Sequence, residues 1–309
     1  MNERAVSPKK TFFQKIWAYK ELYLFCLPGI IITFIFHYIP LYGVQIAFRK
    51  YSVKRGFWGS EWVGLQHFVR FFNSPNAVQI ITNTLILSLY SLAASFPIPI
   101  LLALFLNSMR HRRYRKVIQT VTYAPNFISI IVMCGMLILF LSPRIGIINK
   151  LLELFGVEAI NFMGLPQAWR HIYVWSGVWQ TMGWSSVVYF AALSGVSPEY
   201  HEAAVVDGAT KLQRIRYIDF PSILPVAVML LILSFGSLLS IGFEKAYALQ
   251  NDLNRTVSEI ISTYTYKVGI VDSNMSYSAA IGLFNSVVNA VLLVTVNWVS
   301  GKISGNALW

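Results

Sequence analysis

Residues 22–48, LYLFCLPGIIITFIFHYIPLYGVQIAF, contain no Asp, Glu, Lys or Arg. A helix needs roughly 20 apolar residues to cross about 30 Å of hydrocarbon, and this run is long enough. Five more runs share the property: Phe71–Met109, Val117–Pro143, His171–Pro198, Phe220–Phe243 and Ser273–Gly301. Each is rich in Leu, Ile, Val and Phe. The second exceeds one crossing, so its helix is placed at about Thr82–Leu106. Core helices of a soluble domain would not all stay uncharged over such lengths. The expected fold is therefore an all-α integral membrane protein. It has six transmembrane helices in a single membrane domain, residues 22–301.

Composition supports the same class. Of the 309 residues, 56% are hydrophobic and only 12% are charged, about half the charge of an average soluble domain. A cytosolic enzyme, a disordered scaffold and a secreted disulfide module are excluded on that ground. Cys26 and Cys134 both lie within charge-free runs, so they are read as buried packing thiols. Pro28, Pro40, Pro97 and Pro99 lie in or near spans and imply kinks that neighbouring helices must satisfy.

The charged residues set an expected orientation. The tail 1–21 carries Arg4, Lys9, Lys10, Lys15 and Lys20 against Glu3 and Glu21. The run after it is longer than a secretory h-region and has no A-x-A cleavage site, so it reads as a first span. A basic tail stays in the cytoplasm. Six crossings then return the 302–309 tail to the cytoplasm as well. The short segment Asn107–Lys116, with Arg110, Arg112, Arg113, Arg115 and Lys116 and no acid, fits the inner side. Over the whole chain the bias is weak, with 14 basic residues inside and 11 outside. The net charge of +12 sits beside spans, which points to orientation and contact with anionic membrane lipid rather than to nucleic acid. Leu65, Phe68, Val69 and Phe72, beside Arg70, suggest a short outer interfacial helix.

One inner segment, residues 197–221, has its own logic. Ser197 suits an N-cap, Pro198 the first helical position, and Glu199 the positive end of the helix dipole. The spacing predicts a short helix to about Val206, stopped at Asp207 and Gly208. Thr210 and Gln213 have capping-box spacing, so a second helix starts there. Leu212, Ile215 and Ile218 form its stripe, with Lys211 and Arg214 off it, and Phe220-Pro221 ends it. A rigid helical hairpin with small Ala203 and Ala204 is suited to docking a partner, although a hairpin that only caps the bundle is the plainer alternative.

Glu202-Ala203-Ala204, then Gly208, Ile218 and Phe220-Pro221, resemble the EAA loop of permease subunits of binding-protein-dependent ABC importers. The family ends the loop with Leu-Pro, so Phe220 departs from it. Trp62-Val63-Gly64-Leu65-Gln66-His67-Phe68 is similar to a pattern of the carbohydrate-uptake branch, where Asn often stands at the place of His67. Asn83-Thr84-Leu85 and the ending Ser304–Trp309 also fit. The resemblance implies the type I ABC importer permease fold in a bacterial cytoplasmic membrane. It implies four kinds of partner: a second homologous permease, two cytoplasmic ATPase subunits, an extracellular solute-binding lipoprotein and membrane lipid. Glu202, Ala203, Ala204, Asp207, Gly208 and Lys211 would couple to the ATPases. ATP and Mg would bind in the ATPases, with no cofactor on this chain.

Other chemistry finds no support in the residues. There is no His-Glu-x-x-His, phosphate loop or G-x-S-x-G, so the chain is not expected to be an enzyme. His37 and His171, near span ends, read as satisfied interfacial residues. A self-contained secondary transporter stays as an alternative, though no assigned span holds an ionisable acid or base of the usual coupling kind. An importer of a non-sugar solute is a further alternative. Sugars have apolar faces and polar edges, so aromatic rings beside amides and hydroxyls suit them. Span four offers Trp175, Trp179, Gln180, Thr181, Trp184 and Tyr189, and Gln180 and Trp184 share a helical face. Trp175 fits the interfacial belt. The family resemblance puts Trp179, Gln180, Trp184, Ser237 and Ser240 on the substrate path. It also points to an oligosaccharide, more specifically fragments of an acidic polysaccharide.

Overall fold

The computed structural model describes Trp17, residues 19–305, Ala307 and Leu308. Most of the 1–21 tail and part of the Ser304–Trp309 ending lie outside the described residues. Among the described residues, four helices are long and apolar enough to cross a membrane: Lys20–Phe48, Ala77–Ser108, Lys211–Gly236 and Met275–Lys302. They carry the first, second, fifth and sixth charge-free runs. The second begins before Thr82 and continues past Leu106, because Pro97 and Pro99 fall in the first turn of a new helical segment, where a missing N–H costs nothing.

The third run is not one straight span. It forms Arg112–Phe127 and Ile130–Phe140, bent by 98°. The break follows from the backbone: Pro125 sits in a tight 3₁₀ turn, and Ile128 and Ser129 are extended. The fourth run is a 29-residue helix, Pro166–Ser194. It is long enough for a crossing, and its Trp, Gln, Ser and Thr side chains leave it more polar than the other spans.

This fourth-run helix is the centre of the packing. Trp169, Tyr173, Val174 and Val178 join Leu87, Cys134, Ala246 and Leu249 in one core cluster. Tyr189 and Leu193, further along, meet Ile100, Ala103, Leu104, Ile223 and Ala227 in a second. Trp169 is fully buried, and its Nε1–H donates to the Leu249 carbonyl at 3.0 Å, so the ring keeps a polar partner. By contrast, the first helix exposes residues 20–41 throughout. Cys26 is therefore exposed, not a packing thiol, while Cys134 is buried as expected. In a bilayer, an apolar helix face gains little by burial against protein, because lipid tails are equally apolar.

Opposite the 197–221 hairpin, a cap of short elements ties the spans together. Arg49–Lys50 and Glu61–Trp62 form a two-stranded antiparallel ribbon. His67, in the short helix Gln66–Phe72, is buried, with Nε2 3.1 Å from the Arg49 carbonyl. Arg70 lies 4.6 Å from the Tyr277 ring centre. Asn83 donates to the Thr256 and Glu259 carbonyls at 2.9 and 3.1 Å and accepts from Arg170 at 2.9 Å. The Ile261 N–H donates to Thr84 Oγ1 at 2.9 Å. The Asn83-Thr84 pair thus pins the segment before the sixth helix to the second. His171 shares a 2.8 Å hydrogen bond with the Tyr90 hydroxyl, which satisfies it as read from sequence.

Candidate functional site

The 197–221 segment folds as a helical hairpin. Its first arm is Pro198–Val206, with the Ser197 side chain accepting from the Glu199 N–H. Gly208 adopts φ +77°. Its N–H donates to the Val205 carbonyl at 3.1 Å, and the Ala209 N–H reaches back to the Ala204 carbonyl at 2.8 Å. These two bonds are a Schellman cap, which satisfies the last carbonyls of the arm. The second arm starts with a full capping box: the Thr210 N–H donates to Gln213 Oε1 at 2.7 Å, and the Gln213 N–H to Thr210 Oγ1 at 3.3 Å. Both termini of the bend are therefore fixed by their own residues.

One expectation is corrected here. Phe220-Pro221 does not end the second arm. The helix runs unbroken from Lys211 to Gly236. Ile215–Asp219 is a π-helical turn in which the Phe220 N–H reaches the Ile215 carbonyl. That wider turn directly precedes Pro221 and accommodates the proline that would otherwise break the ladder. The hairpin arm and the fifth span are thus one rod.

The hairpin exposes Glu202, Ala203, Asp207, Gly208 and Lys211, while Ala204 is half-buried. Tyr200, Val205, Val206 and Leu212 are exposed as well. An apolar surface with a few charges on a rigid bend is the composition of a docking face. Behind it, Asp219 is buried and holds the arms together. Glu202 and Lys211 line a groove shared with residues from the second and fourth runs and with Arg112 and Arg115 at the start of the Arg112–Phe127 helix.

A second feature lies between the fourth-run helix and the far end of the fifth. Trp184, Thr181 and Ser185 from the fourth helix and Ser234 and Ser237 at the end of the fifth line a cavity of about 510 Å³. Phe96 and Pro99 close it from the second helix. The cavity thus brings Trp184 and Ser237 together, but not the other expected path residues. Gln180 is buried and donates to the Ile128 carbonyl at 2.8 Å, one of the carbonyls released by the break in the third run. Ser240 Oγ accepts from Asn289 Nδ2 at 2.9 Å, and the same Asn289 takes the Leu239 N–H at 2.9 Å. Trp179 is exposed and is not part of the cavity wall. Trp175 donates to the Tyr90 hydroxyl at 2.8 Å. Reading the sequence missed Ser185 and Ser234. Their spacing gave a signal: Ser185 is one turn beyond Thr181, and Ser234 one turn before Ser237.

Among the described residues, no group of three His, Cys, Asp or Glu could hold a metal ion.

Comparison with known proteins places the chain. Residues 95–305 match the family described as the binding-protein-dependent transport system inner membrane component. The polygalacturonan/rhamnogalacturonan transport system permease protein YteP of Bacillus subtilis (strain 168) is 40% identical over 301 residues, 97% of this chain and 94% of that one. Protein LplB of the same organism is 40% identical over 290 residues, 94% of this chain and 91% of that one. Among solved structures, a bacterial alginate ABC transporter in complex with an alginate pentasaccharide-bound periplasmic protein matches with a TM-score of 0.89 and 37% identity. That match covers 97% of this chain and 100% of the other. The chain belongs to the binding-protein-dependent transport system inner membrane components, as a multi-pass permease of the ABC transporter class.

Proposed function

We propose that this permease forms half of the translocation path of an ATP-driven importer for oligosaccharide fragments of an acidic polysaccharide. One observation carries the reading: the second arm of the docking hairpin continues into the helix that bears Ser234 and reaches Ser237 at the cavity, and the first arm follows the Trp184 helix after a break of three residues. Motion of the hairpin would be felt at the cavity, because the second arm and the fifth span are one rod. The relatives act in the same direction, since their names specify polygalacturonan, rhamnogalacturonan and alginate. Trp184 would stack on a sugar face, and the serine and threonine hydroxyls would meet sugar edges.

The assembly in this reading has a second, homologous permease, two cytoplasmic ATPases that bind ATP and Mg, and a solute-binding protein outside. The six charge-free runs cross the membrane with both ends of the chain inside. Glu202 would meet a basic residue in a cleft of the ATPase, with Ala203, Ala204, Asp207, Gly208 and Lys211 around it. Trp179, Gln180 and Ser240 then frame the path rather than line it.

Ligand-stimulated ATPase activity of the assembled complex tests the proposal. Uronate oligomers should stimulate hydrolysis more than neutral oligomers of equal length. Equal stimulation would remove the acidic preference. Stimulation by amino acids or peptides alone would overturn the oligosaccharide reading.

A further inference from the structure

We propose that the groove behind the coupling hairpin binds a phosphoryl anion, of the kind carried by an anionic phospholipid headgroup or by free phosphate. The groove has a volume of about 670 Å³, within the range of small-ligand sites. Four cations line it. Arg112 and Arg115 come from the start of the helix Arg112–Phe127, and Lys211 and Arg214 from the second hairpin arm. Each pair is three residues apart, so each presents two charges from one face of its helix.

These cations are only partly compensated internally: Arg214 is near enough to the Asp219 carboxylate to favour its charged form. Among the described residues, none of the four makes a salt bridge. Arg214 Nε is buried with no hydrogen-bond partner, a state that costs free energy until an acceptor arrives. Arg115 lies 5.6 Å from the Phe190 ring centre, which holds the guanidinium in place without neutralising it. Two carboxylates share the groove. Asp219 already accepts from Asn107 at 3.1 Å and lies 3.3 Å from His201 Nε2. Glu202 is exposed. The helix that starts at Arg112 has no side-chain cap, so its first N–H groups add to the pull on an anion. Phosphoryl oxygens match guanidinium forks two at a time.

Placement favours a lipid source. Basic pockets between membrane helices on the cytoplasmic side take anionic headgroups, and the cytoplasmic placement rests on the permease reading. A bound headgroup would bridge Arg115 on the third-run helix to Arg214 on the hairpin arm. It would thereby tie the hairpin's position to membrane composition.

The test uses the full chain in lipid nanodiscs, with lipid retention read by native mass spectrometry. Phosphatidylglycerol should be retained over phosphatidylcholine. The double variant Arg115→Gln/Arg214→Gln should lose that retention by at least about tenfold, at roughly fivefold per basic residue. Arg113→Gln/Lys116→Gln removes the same charge from exposed positions outside the groove and should stay within about twofold. If the first variant does not fold, Arg112→Gln/Lys211→Gln replaces it with the same expectation. Protection of the groove arginines from phenylglyoxal by inorganic phosphate, without lipid retention, would assign the site to the free anion. Equal losses in groove and control variants would overturn the proposal. So would unchanged lipid retention together with loss of a partner ATPase from Arg115→Gln/Arg214→Gln, which would give the groove to that contact.

Discussion

His201 on the first hairpin arm lies with Nε2 3.3 Å from Oδ1 of Asp219 on the second. A carboxylate only accepts, so the imidazole N–H donates. Asn107, at the end of the second helix, donates to the same oxygen at 3.1 Å. A single buried carboxylate, 3% exposed, thus joins both arms to the bundle. Asp219→Ala should cost about 2–3 kcal/mol, since hydrogen bonds to a charged group are the strong ones and two donors would be left behind. Asp219→Asn keeps an acceptor oxygen and should cost roughly half as much. Thermal unfolding of the purified chain in detergent measures both. Uptake should fall further than stability does, because the lost contacts lie on the route from hairpin to span. Equal midpoints for Ala and wild type would show that the arms are held by packing alone.

The bend makes a separate prediction. Gly208 has φ +77°, and a Cβ built there meets nothing within 4 Å. Any effect of Gly208→Ala is therefore backbone strain, about 1–2 kcal/mol for a left-handed residue with a side chain, and not crowding. Asn tolerates this conformation best of the alternatives. The expected order of uptake is wild type, then Gly208→Asn, then Gly208→Ala, then Gly208→Val. An order that followed side-chain volume, with Asn below Ala, would mean that the bend fails by steric conflict with a docked partner.

These two residues also show what could be read from the sequence. Gly208 and the Thr210–Gln213 box are local devices. Their partners lie within four residues, so spacing alone identified them, and the structure has both. The role of Asp219 was not legible. It depends on His201, eighteen positions away, and on Asn107 in a different run, and linear patterning cannot encode such contacts. The same limit explains Gln180. Its helical face put it beside Trp184, but the break at Ile128 released a carbonyl that only tertiary packing brings to Gln180. Lys245 is the sharpest case. It stands two residues past the fifth charge-free run, where nothing in the local pattern marks it for burial. It is instead buried, donating to the Tyr173 carbonyl at 2.6 Å, with its charge 4.7 Å from the Tyr173 ring centre. The third run failed for the opposite reason. Its lack of charge is a property of the whole run and carried no information about the bend at Pro125–Ser129.

Gly183 links that bend to the cavity. It lies in the fourth helix, one residue before Trp184, and a Cβ there would run into the Thr122 carbonyl and the Tyr123 ring. The Thr122 backbone approaches the fourth-run helix closely because Gly183 has no side chain, the usual use of small residues at helix crossings in membranes. Gly183→Ala must therefore push the Arg112–Phe127 helix away. The Gln180–Ile128 hydrogen bond sits on the same crossing and should lengthen or break, and Phe127, now 6.2 Å from Trp184 between ring centres, should move with it. The expected cost is about 1–3 kcal/mol, in the range of overpacked sites. The distinguishing readout is Trp184 itself. With the other tryptophans replaced by Phe where the chain tolerates it, Gly183→Ala should shift the Trp184 emission and its quenching by acrylamide, whereas Gly177→Ala, which meets only the Lys245 ammonium and nothing of this crossing, should shift neither. If both glycine variants leave Trp184 unchanged while destabilising the chain equally, the crossing is a packing contact with no hold on the cavity.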